Sequence, residues 1–121
     1  MLTQPDAMMN DWYLWAAVLL AHGFIGLILT AAVAWIFKPA EELAGDMRRL
    51  AWVVVSAIYF LGWEGCVQTW GAGFLDAAVD TAAVSLGGLI GISAWARKGA
   101  SVALSGAAMA GMLVVGIWRR K

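Results

Sequence analysis

Charge is scarce in this chain. Lysine, arginine, aspartate and glutamate make up 13% of its 121 residues, against about 25% in an ordinary soluble domain. The two signs balance at 8 basic and 8 acidic side chains. Without a basic excess there is nothing to neutralise a phosphate backbone, so a nucleic-acid partner is not expected. Cysteine is almost missing as well. Cys66 has no partner in the chain, which excludes a disulfide scaffold. One histidine and one cysteine fall short of the usual zinc or iron–sulfur ligand sets, and no cofactor is expected. What the chain has in excess is apolar surface. Hydrophobic residues reach 63%, far too many for disorder. A small integral membrane protein remains, with the lipid bilayer as its first partner.

A helix crossing ~30 Å of hydrocarbon needs roughly 20 mostly apolar residues. Residues 12–37, 50–70, 74–96 and 100–118 meet that requirement. Lys38 and Pro39 close the first span, because proline does not continue a helix. Arg97, Lys98 and Gly99 separate the third from the fourth, and Arg119, Arg120 and Lys121 follow the fourth. The spans use nearly the whole chain, so a single all-α domain is expected, an integral membrane bundle of four transmembrane helices. Membrane strands alternate apolar and polar residues. Residues 51–55 are apolar on every side, which excludes a barrel. The tryptophans cluster near span ends: Trp12, Trp15 and Trp35, then Trp52, Trp63 and Trp70, then Trp95 and Trp118. Indole prefers the headgroup layer, so they read as anchors rather than stacking surfaces.

Residues 1–10 carry Asp6 and no basic residue, and the apolar run after them is too long for a signal peptide. The first span is therefore expected to be retained. Basic loops stay cytoplasmic. Lys38, Arg48, Arg49, Arg97 and Lys98 then lie inside, which places the N-terminus outside. Arg119, Arg120 and Lys121 conflict with that orientation, since an even number of spans puts them outside too. Either the last helix is re-entrant, or the other spans force its orientation, or orientation is weakly specified. The first loop, 38–47, mixes Glu41 and Glu42 with basic residues and is expected to be a solvated connector rather than an interfacial helix.

His22, Glu64, Asp76 and Asp80 are ionisable residues inside the expected spans. An acidic side chain at mid-bilayer costs roughly 2.5–3.5 kcal/mol on insertion scales, and such residues normally face a bundle interior. Glu64 and Gln68 are spaced i,i+4 and share a helix face, as do Asp76 and Asp80. A hairpin folded at residues 71–73 puts Glu64 at a level between Asp76 and Asp80. His22 lies ~15 Å into the first span by the helical rise, within reach of Asp80. Carboxyls packed closely in low dielectric cannot all ionise, so a shared proton is expected. The cluster reads as a proton or cation site, or as an interhelical hydrogen-bond network.

Gly87 and Gly91 form a small-residue stripe continuing the Asp76–Asp80 face, and Ser101, Ser105, Ala107 and Gly111 repeat that spacing in the fourth span. Small residues let membrane helices approach closely, within one bundle or between copies of the chain. Residues 87–91 lack the Lys-Ser/Thr that completes a phosphate loop. Ser85, His22 and Asp80 could nominally form a triad, but no nucleophile elbow frames Ser85, and no enzyme is expected.

Tyr59, Glu64, Gln68, Asp76, Asp80, Gly87 and Gly91 together resemble the polar hairpin of VanZ-like membrane proteins. Similar hairpins occur in small bacteriophage membrane proteins described as holins. The resemblance covers residues 59–91. In this chain Phe74 follows Gly73 where the VanZ-like pattern has arginine, and Asp80 replaces an asparagine. The resemblance implies a polar hairpin facing a bundle interior. The leading expectation is a holin-like phage or prophage protein that self-associates and permeabilises the bacterial cytoplasmic membrane. A proton- or cation-coupled carrier subunit is the second expectation, with Glu64 and Asp80 as the titrating pair and His22 as relay. The third is a VanZ-like envelope accessory protein without transport activity. No soluble small-molecule substrate is identifiable.

Overall fold

A computed structural model describes residues 11–36, 44–71 and 73–121. Among them every regular element is helical. Helix α1 is Trp12–Ile36, α2 is Ala44–Ile58, α3 is Phe74–Trp95 and α4 is Gly99–Trp118. Between α2 and α3 the chain continues as a π-helix over Tyr59–Val67. Four stretches are long and apolar enough to cross a membrane, namely the whole of α1, α3 and α4 and the composite Met47–Val67. The chain is a multi-pass membrane protein built as a four-helix bundle.

The helix starts follow local chemistry. Asp11 caps α1, its Oδ1 accepting from the backbone N–H of Tyr13 at 2.9 Å and Leu14 at 3.1 Å. Gly73 precedes α3 with a φ of +98°, a conformation that suits glycine. Other boundaries depart from the sequence reading. The second helix begins at Ala44 rather than 50, so residues 44–47 are helical and not a solvated connector. The remainder of that loop, 37–43, lies outside the described residues. The same helix ends at Val67 rather than 70, because Thr69 and Trp70 turn to positive φ values of 49° and 57°, and its last nine residues are wound as a π-helix.

The longer second helix changes the role of Trp52. It sits two turns inside rather than at the entrance. Its indole Nε1 donates to the Ser85 carbonyl at 2.9 Å and the Ser85 hydroxyl at 3.0 Å. Trp52 is an interhelical hydrogen-bond donor, not a headgroup anchor. Trp12, Trp35, Trp63, Trp70, Trp95 and Trp118 are exposed near helix ends, as anchoring requires.

Helix α3 occupies the middle of the bundle and packs on α1, α2 and α4, most extensively on α1. Successive spans alternate in direction, so α1 and α3 run parallel. They meet backbone to backbone. A methyl group at Gly87 would run into the Gly23 carbonyl, and one at Gly26 would run into the Val84 carbonyl. Gly91 faces Leu27 at the same interface. Leu19, Ala83 and Met109 pack together across three helices, and Val55, Tyr59 and Val84 form a second cluster. Outward positions such as Phe24, Ile28, Val53, Leu104 and Val114 are exposed and apolar, the surface expected against lipid.

Ser93 and Ser101 share a hydroxyl hydrogen bond of 2.8 Å between α3 and α4, and Ser105 is buried. Gly111 does not join this packing. A side chain there would meet nothing within 4 Å, because Ser105, Met109 and Gly116 form the inward face of α4.

Gly87→Leu is expected to destabilise the bundle by ~3 kcal/mol, the upper range for overpacking a filled interface. Gly106→Leu, where an added Cβ also meets open space, should stay within ~0.5 kcal/mol as a surface change. Thermal melts in detergent check the contrast, and equal melting temperatures would show that the α1–α3 contact is not tight.

Candidate functional site

The parallel contact between α1 and α3 brings polar residues together one to two turns from the glycines. His22 Nδ1 lies 3.5 Å from Asp80 Oδ1. That is an ion-pair distance for a protonated imidazole, and longer than a well-formed hydrogen bond. On its other side the His22 ring meets Tyr59 edge to face, with centroids 5.6 Å apart. Tyr59 Oη donates to Glu64 Oε1 at 2.7 Å. The result is a chain of four groups, Asp80–His22–Tyr59–Glu64, contributed by α3, α1 and the π-helix. Glu64 is 4% exposed and Asp80 8%.

The π-helix explains the last link. In an α-helix, residues five apart point about 140° away from each other, given 3.6 residues per turn. The wider π-turn carries residue i+5 back toward residue i. Tyr59 and Glu64 are five apart and bonded. Gly62 and Gly65 fall inside this segment, where missing side chains ease the wide turn. The backbone N–H of Gln68 donates to the Trp63 carbonyl at 2.8 Å, the i+5 bond of a π-turn.

Gln68 does not join Glu64 in the buried cluster. The π-helix ends at Val67, and Gln68 sits exposed in the turn that follows. Asp76 is four residues before Asp80 on α3, ~6 Å nearer the helix start. It is half-buried and lines a cleft with Arg120, apart from the four-group chain. The cluster therefore holds His22, Glu64 and Asp80 together, with Asp76 at its edge and Gln68 outside. The spacing of Tyr59 and Glu64, with Gly62 between them and Gly65 after, was the available signal for tyrosine's part in it.

Further polar groups line the interior. The hydroxyls of Thr30, Ser56 and Thr81 and the Nδ1 of His22 are buried without a well-formed hydrogen bond among the described residues. Thr81 adjoins Asp80, and Ser56 lies one turn before Tyr59. Buried groups of this kind normally find a protein or water partner. The Ser85 hydroxyl accepts from Trp52, which gives it a packing role instead of the nucleophile's place in a triad. Among the described residues, no three His, Cys, Asp or Glu side chains converge as a metal-ion ligand set. The arrangement buries two carboxyls, an imidazole and a phenol at one junction, paired as Asp80 with His22 and Tyr59 with Glu64. No known protein family, curated protein or solved structure matches this chain.

Tyr59→Phe strands the Glu64 carboxyl in the bundle without its donor. It should cost ~1–3 kcal/mol, the penalty for an unsatisfied buried polar group. Gln68→Ala should leave the melting temperature unchanged within ~0.5 kcal/mol, as an exposed substitution does. Similar losses in both would restore the α-helical i,i+4 arrangement.

Proposed function

We propose that this chain is a proton-handling membrane protein, in which Asp80 and Glu64 are the titrating carboxyls and His22 and Tyr59 connect them. The carrying observation is the Asp80–His22–Tyr59–Glu64 chain, buried at the junction of three helices. Ionisable groups inside a membrane are expensive, and proton relays are among the functions that retain them. The outer links join groups that can share a proton, Asp80 with His22 and Tyr59 with Glu64, and the ring contact between His22 and Tyr59 holds the two pairs side by side. An imidazole beside a carboxylate accepts a proton and forms an ion pair with it, and a phenol bonded to a carboxyl orients it. A proton suits the site better than a metal cation, because the side chains do not converge on a point. The buried hydroxyls of Ser56 and Thr81 add polar groups beside Tyr59 and Asp80.

Flux across liposomes tests this reading. The reconstituted protein should dissipate an imposed pH gradient. Asp80→Asn and Glu64→Gln should each remove most of that flux, at least tenfold, while Gln68→Ala keeps it. A parent protein without proton flux would sink the proposal.

A holin-like role is the second reading, and one observation favours it. Ala103, Ala107, Ala110 and Gly111 face outward on α4, with no partner in the bundle at Gly111. An exposed small-residue face is what membrane helices use to associate. In that reading the polar cluster is held inside single bundles and turns to line a lesion when copies assemble. The reading implies the bacterial cytoplasmic membrane, with the five loop cations Lys38, Arg48, Arg49, Arg97 and Lys98 inside and both termini outside. Arg120 stacked over Trp15 and Lys121 over Trp12 give the C-terminal cations local aromatic partners on that outer side. Induced expression should abruptly collapse the membrane potential after a delay, and should release a co-expressed endolysin. In the same cells, Lys121→Cys in a Cys66→Ser background should react with an impermeant maleimide from outside. Sustained growth with an intact potential would exclude the holin-like role, and labelling only after lysis would reverse the orientation.

A further inference from the structure

Where α1 and α3 begin and α4 ends, the helices leave a cleft of about 710 Å³. Its chemistry is divided. Val79 and Met112 contribute apolar wall, Asp76 contributes a carboxyl, and Arg119, Arg120 and Lys121 supply cations at the rim. The rim is held in shape by aromatic contacts. The Trp15 ring lies against Gly116, where any side chain would collide with it. The Arg120 guanidinium sits over that ring at 4.2 Å and donates to the Gly116 carbonyl at 3.1 Å. The Lys121 ammonium lies 5.2 Å from the Trp12 ring.

The cleft's position matters as much as its charge. Trp12, Phe74 and Trp118 mark the ends of the spans that surround it, so it opens at headgroup depth. We propose that this cleft binds the headgroup of an ethanolamine phospholipid. The phosphate accepts charge-assisted hydrogen bonds from Arg119 and Lys121, and the ammonium donates to Asp76. The apolar wall receives the start of an acyl chain. A glycerol headgroup satisfies the cations but adds no cation at Asp76 beyond Arg120, which already attracts it electrostatically. A choline headgroup carries charge but no N–H to donate. The proposal uses none of His22, Tyr59, Glu64 or Asp80 as a ligand, and its readout is lipid binding rather than proton flux.

The test measures lipid binding to the purified full-length chain by native mass spectrometry, with short-chain phosphatidylethanolamine, phosphatidylglycerol and phosphatidylcholine as probes. The parent protein should bind phosphatidylethanolamine about tenfold more tightly than either other lipid, the scale of one hydrogen bond to a charged group. Asp76→Asn should reduce that preference to less than about twofold. Arg119→Gln combined with Lys121→Gln should weaken phosphatidylethanolamine and phosphatidylglycerol alike. Gly111→Phe supplies a variant that leaves the charges in place. Gly111 is exposed at the edge of the cleft and a Cβ added there meets nothing within 4 Å, so the position accepts a side chain that can cover the cleft's mouth. It should abolish the preference with unchanged helicity, and it decides the matter if Asp76→Asn does not fold. Equal binding of the three lipids by the parent, a preference for phosphatidylglycerol, or a preference that survives Gly111→Phe would each overturn the proposal.

Discussion

The parallel contact between α1 and α3 sets the geometry of everything else. Gly23 and Gly26 on one helix meet Gly87 and Val84 on the other with no room for a side chain between them. Such an approach fixes both the separation and the register of two helices, because backbone atoms cannot slide past each other as flexible side chains can. His22 lies one turn before Gly26, and Asp80 lies one turn before Val84, the residue that Gly26 meets. Once the glycines are seated, the imidazole and the carboxyl have little choice but to face each other. A larger residue at the crossing would separate the helices and leave a buried carboxyl without its partner.

The π-helix answers a different requirement. A second carboxyl, on the neighbouring helix, also has to be buried, and Tyr59 is the group that satisfies it. Residues five apart diverge in an α-helix. Winding the segment more widely aligns them, at the cost of poorer backbone packing, and two glycines lower that cost. The polar cluster and the irregular helix are therefore one feature. A regular α-helix through Tyr59–Val67 would turn either the phenol or the carboxyl away from the other.

The cluster and the cleft divide the charged residues of this end of the bundle between two tasks. The deeper groups pair with one another, away from lipid. The shallower ones, Asp76 and the residues after α4, are held at headgroup depth, with Trp15 and Trp12 under two of the cations.

The sequence by itself determined the solvent, the number of spans and the inward direction of the polar residues. Long apolar runs admit only helices in hydrocarbon, and ionisable residues must leave the lipid face wherever they occur. It also carried the approach of His22 to Asp80, since depth in a span follows from counting residues. Three things were settled only by tertiary structure. Tyr59 entered the cluster because the π-turn brings residue i+5 back toward residue i, and Gln68 stayed outside because the helix ends at Val67 and leaves it exposed in the turn. Trp52 became an internal donor, because its helix starts six residues earlier than the charge pattern suggests. Gly111 turned outward while Gly87 turned in, although both carry the same small-residue spacing. Spacing states which residues share a face, but not which face meets a neighbour. That depends on how all four helices fill the space between them.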